Sequence, residues 1–126
     1  MIQEEKQLLL KDLSARLQYG VKVEVIWKEK LTDVDGYEGK LTSTTIMLIE
    51  NDEVICRPYL RPMSSMTEEE RKEYNEYLFH GASIGLMSNT ATAYELIDWL
   101  NARHFDYRGL IPMGLALAAP EGMYEH

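Results

Sequence analysis

An α+β fold is what this sequence predicts, and three stretches carry that reading. Residues 2–19 place leucines at helical spacing, Val21–Trp27 alternates with a period of two, and the stretch from Thr92 opens on a capping signal and continues as an amphipathic stripe. The expected order is an N-terminal helix, an antiparallel meander of three to four strands, two helices and an apolar C-terminal segment. A helix followed by a strongly bent meander is compatible with a small SH3-like or Sm-like half barrel, an analogy of topology that assigns no function.

The chain has 126 residues, which fits one domain spanning 1–126 and allows a core without staples. Hydrophobic residues make up 45% and charged residues 27%, both near the globular average, so a folded protein is expected. Asp and Glu total 21 against 13 for Lys and Arg, a formal charge of −8. That excess repels nucleic-acid backbones and anionic membrane surfaces unless the basic groups cluster. Cys56 is the only cysteine, which excludes an intrachain disulfide and a thiolate zinc site within one chain. The first residues, MIQEEKQLLLKDL, lack the apolar run of a secretory signal, and no window reaches transmembrane length, so the expected location is the cytoplasm.

In chain order, Leu10, Leu13 and Leu17, with Leu9 alongside, give the first helix an apolar face, and Gly20 suits its left-handed C-terminal cap. Val21, Val23, Val25 and Trp27 then form one side of a half-buried strand. Lys28–Asp35 reads as a polar connection, Asp35-Gly36 as a turn, and Tyr37–Ser43 as a second strand. Thr44–Glu50, TTIMLIE, is rich in strand formers and is expected to be a third strand, with Asn51-Asp52 turning into a fourth at Glu53–Tyr59. Pro58 and Pro62 argue that Arg57–Pro62 is an edge segment or rigid loop.

Thr67 and Glu70 have capping-box spacing, and TEEE places three carboxylates in the first turn of a helix running to about Phe79, with Tyr74, Tyr77 and Leu78 as its sticky face. His80–Thr90 reads as a loop. Thr92 and Glu95 form another capping box, followed by the stripe Ala93, Leu96, Ile97 and Leu100. Asp106 and Gly109 end that helix. Leu110–Ala119 is apolar but contains Pro112 and Gly114, so it is expected to be a buried extended segment or short strand.

Two of these stretches, PYLRPMSSMTEEE at 58–70 and LIDWLNARHFDYRGLIPMGLALAAPEGMY at 96–124, resemble segments of small proteins encoded by gut bacteria of the Bacteroidales group and by their phages and mobile elements. With the intervening helix, the resemblance covers roughly the second half of the chain. It implies a small accessory protein, and that family has no assigned activity to transfer.

The chemistry-bearing residues are few. Cys56 with His80 or His104 could nominally supply a nucleophile and base, but a cysteine at the end of a strand reads first as a packed thiol. His80, His104 and Asp106 lack metal-ligand spacing, and His126 is terminal. There is no glycine-rich phosphate loop. No catalytic residue, cofactor or metal is therefore expected. Two clusters remain as candidate binding residues: Arg57, Tyr59 and Arg61, which alternate along one side of an extended segment, and Tyr107 with Arg108 beside Phe105 and Asp106. Arg and Tyr are common interface anchors, and they also stack on bases and hold phosphates. The competing structural role is that each arginine pairs with a surplus carboxylate while the tyrosines cover the core edge. In the second cluster Asp106 and Arg108 could pair, which would leave Tyr107 and Arg108 little structural need.

The expectation is a non-enzymatic protein-binding accessory protein with a protein partner, open to forming a homo-oligomer. The alternatives are a nucleic-acid binder using a local Arg/Tyr strip and an acidic nucleic-acid mimic that blocks a DNA-binding protein. The helical stripe gives a direct test. Leu13→Ala should cost about 2–5 kcal/mol in chemical denaturation if Leu13 is buried, and close to nothing if it faces solvent.

Overall fold

The structure, a computed structural model, describes residues 2–29, 35–83 and 90–124; the side chains at 79–83 and 90–92 lie outside the described set. The middle of the expected Lys28–Asp35 connection and of the His80–Thr90 loop therefore lies outside the described residues. So do the Thr92 side chain and the side chains of His80 and His126.

Helix α1 runs Gln3–Arg16 and tightens into a 3-10 turn at Leu17–Tyr19. It stops at Gly20, whose φ of 70° is left-handed and suits a residue with no Cβ, as the sequence predicts. Leu9 and Leu13 are fully buried, whereas Leu10 and Leu17 are only partly so. The buried face is thus turned away from the expected Leu10–Leu13–Leu17 line. The reason is electrostatic: Asp12 and Arg16 are also completely buried and pair on that face.

Strand β1, Lys22–Trp27, pairs antiparallel with β2, Gly36–Lys40, on one side and with β3, Val54–Leu60, on the other. Strand β4, Leu117–Ala118, joins β3 in parallel, giving the order β2-β1-β3-β4. Val21, Val23 and Val25, with Val54, Cys56 and Leu60, enter one core shared with Leu9, Leu13, Leu41, Ile49, Leu110 and Leu115. The alternation of β1 is therefore as expected: its valines face this core, and Lys22, Glu24 and Ile26 take the other face.

The expected strand Thr44–Glu50 is instead helix α2, Ser43–Glu50. Its β-branched composition is overridden by capping and spacing. The Thr42 side chain accepts from Thr45 N at 3.2 Å, and Thr45 and Ile49, four apart, are buried while Met47 is 51% exposed. Asn51 and Asp52, read as a hairpin turn, close this helix: Asp52 takes φ 58°, and Glu53 N donates to Leu48 O at 3.0 Å. The antiparallel unit is therefore β2-β1-β3 with a helix between β2 and β3. The half barrel of SH3-like or Sm-like type is suggested by that unit alone, since β4 is parallel.

Arg57–Pro62 also departs from expectation. Its first four residues lie inside β3, and Pro58 is fully buried. Lys28 N donates to Glu53 O at 3.1 Å, which sets the phase of the β1–β3 ladder. Glu53, Ile55 and Arg57 turn their backbone groups to β1, and Val54, Cys56 and Pro58 turn theirs to the opposite edge. β4 covers that edge only at Tyr59 and Leu60. Pro58 is tolerated because its missing N–H would point to the uncovered part.

Helix α3, Glu68–Ser83, starts at the predicted box: Glu70 N donates to Thr67 Oγ1 at 3.1 Å and Thr67 N to Glu70 Oε1 at 3.0 Å. It runs four residues past the expected end. Helix α4, Thr90–Ala102, begins two residues before Thr92, which therefore lies inside the helix rather than at its cap. Only the later part of its stripe is packed. Leu100 is buried and Leu96 partly so, while Ile97 is 38% exposed. Trp99 takes the place of the expected residues, stacking on Phe105 at 5.8 Å and on Tyr74 at 6.3 Å and donating from Nε1 to Glu73 at 2.8 Å. Leu78, expected on the sticky face of α3, is 45% exposed.

After α4, His104 adopts φ 63° and Phe105 N returns to Leu100 O at 3.0 Å, a left-handed helix end. Asp106 then receives Leu110 N at 2.8 Å and Ile111 N at 2.9 Å, and Gly109 takes a positive φ of 74°. The apolar segment re-enters the core through Leu110, Leu115 and Ala116 and ends as β4. Among the described residues, no helix is long and apolar enough to cross a membrane.

The α1 pair yields a prediction. Arg16→Met would strand a fully buried carboxylate with Arg108 as its remaining partner, and should lower the unfolding free energy by about 3–5 kcal/mol. Urea denaturation measures it. The double variant Asp12→Leu with Arg16→Met, which removes both charges, should recover part of the loss.

Candidate functional site

Arg57, Tyr59 and Arg61 do share one side of β3 and its continuation, as their alternation predicts. Each is engaged by a different carboxylate. Arg57 Nη2 donates to Glu24 Oε1 at 3.0 Å across the β1–β3 pair. Tyr59 Oη donates to Glu38 Oε1 at 2.7 Å from β2, and that acceptor, with burial behind it, pushes the phenol up to about 12. Arg61 makes a two-pronged contact with Glu70, at 2.6 and 2.8 Å, and stands over the Phe105 ring at 4.2 Å.

Tyr107 and Arg108 come together with α1 rather than with Asp106. Arg108 Nε donates to Asp12 Oδ1 at 3.1 Å, and its Nη2 to Tyr107 Oη at 3.2 Å. Tyr107 Oη in turn donates to Asn101 Oδ1 at 2.9 Å, and its ring lies between two guanidiniums, 5.1 Å from Arg16 and 5.0 Å from Arg108. The expected Asp106–Arg108 pair is not formed because Asp106 spends both oxygens on backbone donors. These two residues thus have a structural role that adjacency in sequence does not reveal. The two clusters lie on different elements and, among the described residues, touch only through Arg61, which stands over Phe105 and accepts from Asp106 N, while Tyr107 and Arg108 turn to α1.

Cys56 is 1% exposed on the core side of β3, and burial pushes its thiol up to about 12, away from nucleophilic use. Among the described residues, no group of three His, Cys, Asp or Glu side chains is placed to hold a metal ion.

One feature that sequence reading missed lies along β3. A groove of about 430 Å³ runs beside Val54–Arg57, with Ile26 and Ile55 on one side and Met113 and Leu115 among its other lining residues. Ile55 and Met113 are 43% and 45% exposed. The charges at this groove are largely paired within the protein: Lys6 reaches Asp52 at 3.0 Å and Arg57 holds Glu24. What is unsatisfied is backbone. The N–H groups of Val54 and Cys56 face the edge that β4 leaves uncovered, and neither has an acceptor among the described residues. The only sequence signal for this edge was Pro58, which marks where a strand lacks a neighbour.

No protein-family model matches this chain, and neither the curated proteins nor the solved structures contain a match.

The Arg61–Glu70 contact sets a pH prediction. Arg61 first, then the backbone and side chain of Thr67, hold the Glu70 carboxyl down to about 2 from 4.5 against the opposing effect of burial. A carboxyl lowered by folding stabilises the fold fully above its unfolded value, and that share is lost as pH falls from 4.5 towards 2. Unfolding free energies of the wild type and Glu70→Gln should therefore differ by a constant amount above pH 4.5 and converge below it. A difference independent of pH would remove the coupling.

Proposed function

We propose that this protein is a non-enzymatic binding module that takes an extended segment of a partner protein as an added strand on the free edge of β3. One observation carries the reading: the N–H groups of Val54 and Cys56, residues only 3% and 1% exposed, have no acceptor among the described residues and face an edge bordered by a groove with apolar walls. Backbone groups of that kind supply affinity in strand addition, and neighbouring pockets select alternate side chains. The occupant is a polypeptide with apolar side chains at alternate positions, meeting Ile26, Ile55, Met113 and Leu115.

An accessory role agrees with the resemblance to phage and mobile-element proteins, and a lone buried thiol suits a reducing cytoplasm. The engagement of Arg57, Arg61 and Arg108 by Glu24, Glu70 and Asp12 weighs against a nucleic-acid strip, because those guanidiniums already have anionic partners.

A photo-crosslinking residue at Met113 in the native host, followed by mass spectrometry, tests the reading. The expected product joins Met113 to one contiguous segment of another polypeptide. A synthetic peptide of that segment should then slow amide exchange at Val54 and Cys56. Unchanged exchange at both amides, or a crosslink only to a second copy of the chain, would overturn it.

A further inference from the structure

Lys22 and Lys40 stand directly opposite each other across the β1–β2 pair. Like charges so placed repel, and the structure does little to relieve them. Lys22 Nζ donates to Met123 O at 3.1 Å, and the Lys40 ammonium has no partner among the described residues. The carboxylates two residues further along this face, Glu24 and Glu38, are taken by Arg57 and Tyr59.

Between these lysines and the C-terminal segment lies an open pocket of about 550 Å³, bordered by Tyr19, Lys22, Lys40, His104, Gly122 and Tyr124. Among the described residues no Asp or Glu lines it, although acidic residues outnumber basic ones 21 to 13 in the chain. The β3 groove has Glu5 and Asp52, the cavity beside Arg61 has Glu121, and the cavity at the β1–β2 hairpin has Glu24, Asp35 and Glu38.

One wall of the pocket is rigid. Tyr124 Oη accepts from Lys22 N at 2.8 Å and donates to Tyr59 O at 2.7 Å, standing between two strands where the β1–β3 ladder ends. The Tyr124 ring stacks on His104, with centroids 3.8 Å apart and planes 23° from parallel. The pocket therefore sets two cross-strand lysines beside the Tyr124 ring, which the buried His104 backs on one face, within the size range of small-molecule sites.

We propose that this pocket binds a small phosphate monoester, its dianion between Lys22 and Lys40 and its organic part against the rings of Tyr19 and Tyr124. The site is separate from the β3 edge and does not depend on what binds there. Two ammonium groups match the double charge of a monoester, and aromatic rings favour a planar organic group over a bare ion.

The test is titration of the isotope-labelled protein, followed by amide chemical shifts at constant ionic strength, with inorganic phosphate and with adenosine 5′-monophosphate as probes. Both should give saturating shifts at Lys22, Lys40 and Gly122, the nucleotide binding more tightly by about tenfold. Lys40→Gln should weaken both by about fivefold, Lys40→Arg should retain binding, and Lys28→Gln should leave it unchanged. Shifts that grow linearly without saturation, or an equal loss in Lys28→Gln, would overturn the site. A nucleotide that binds no better than phosphate would overturn the monoester.

Discussion

The constraint on which this structure depends is a charge pair with no access to water. Asp12 and Arg16 sit one helical turn apart on α1, both completely buried, with Nε–Oδ2 at 2.8 Å and Nη2–Oδ1 at 3.1 Å. An interior ion pair repays its desolvation only when its remaining donors and acceptors are satisfied. The protein meets that condition for all but Arg16 Nη1, which is buried without a hydrogen-bond partner among the described residues, and it does so with residues far along the chain. Arg16 Nη2 also donates to Phe105 O at 2.7 Å, Arg108 adds a third donor to Asp12, and the Tyr107 ring lies against both guanidiniums. The N-terminal helix and the 105–108 turn are thereby positioned by the same four side chains.

That turn in its place directs the rest of the chain. Arg61 N donates to His104 O at 2.7 Å and Asp106 N to Arg61 O at 2.8 Å, which extends the β3 direction into the turn after α4. Asp106 folds the chain back at Leu110 and Ile111, the apolar segment enters the core, and β4 lies beside Tyr59 and Leu60. Because β4 is only two residues long, the earlier half of that β3 edge is left without a strand. Tyr124 closes the end of the β1–β3 ladder and forms a wall of the lysine pocket. The open edge and the pocket are both consequences of how the C-terminal segment is threaded.

The acidic surplus is distributed with the same economy. Glu24, Glu38, Glu70 and Asp12 answer Arg57, Tyr59, Arg61 and Arg108, so the residues that look most like interface anchors serve first to hold elements together. The groups on which the two proposals rest carry no compositional flag: the amides of Val54 and Cys56, and the opposed lysines Lys22 and Lys40.

Taken alone, the sequence determined features that depend on a few neighbouring residues. The alternation of Val21–Trp27, the Thr67–Glu70 box, the positive φ at Gly20 and the burial of Leu13 were all legible, because spacing and backbone sterics act over one or two turns. TTIMLIE was misread since its β-branched residues state a strand preference, while the opposing signals, a Thr42 cap and burial four residues apart, needed a core to pack against. The candidate residues were visible as types but not as partners. Glu24 lies 33 residues from Arg57, and Asp12 lies 96 from Arg108. Only the tertiary structure decided those pairings, the uncovered edge and the meeting of Lys22, Lys40 and Tyr124. Each is set by strand register and chain threading, and these minimise the energy of the whole assembly rather than of any segment.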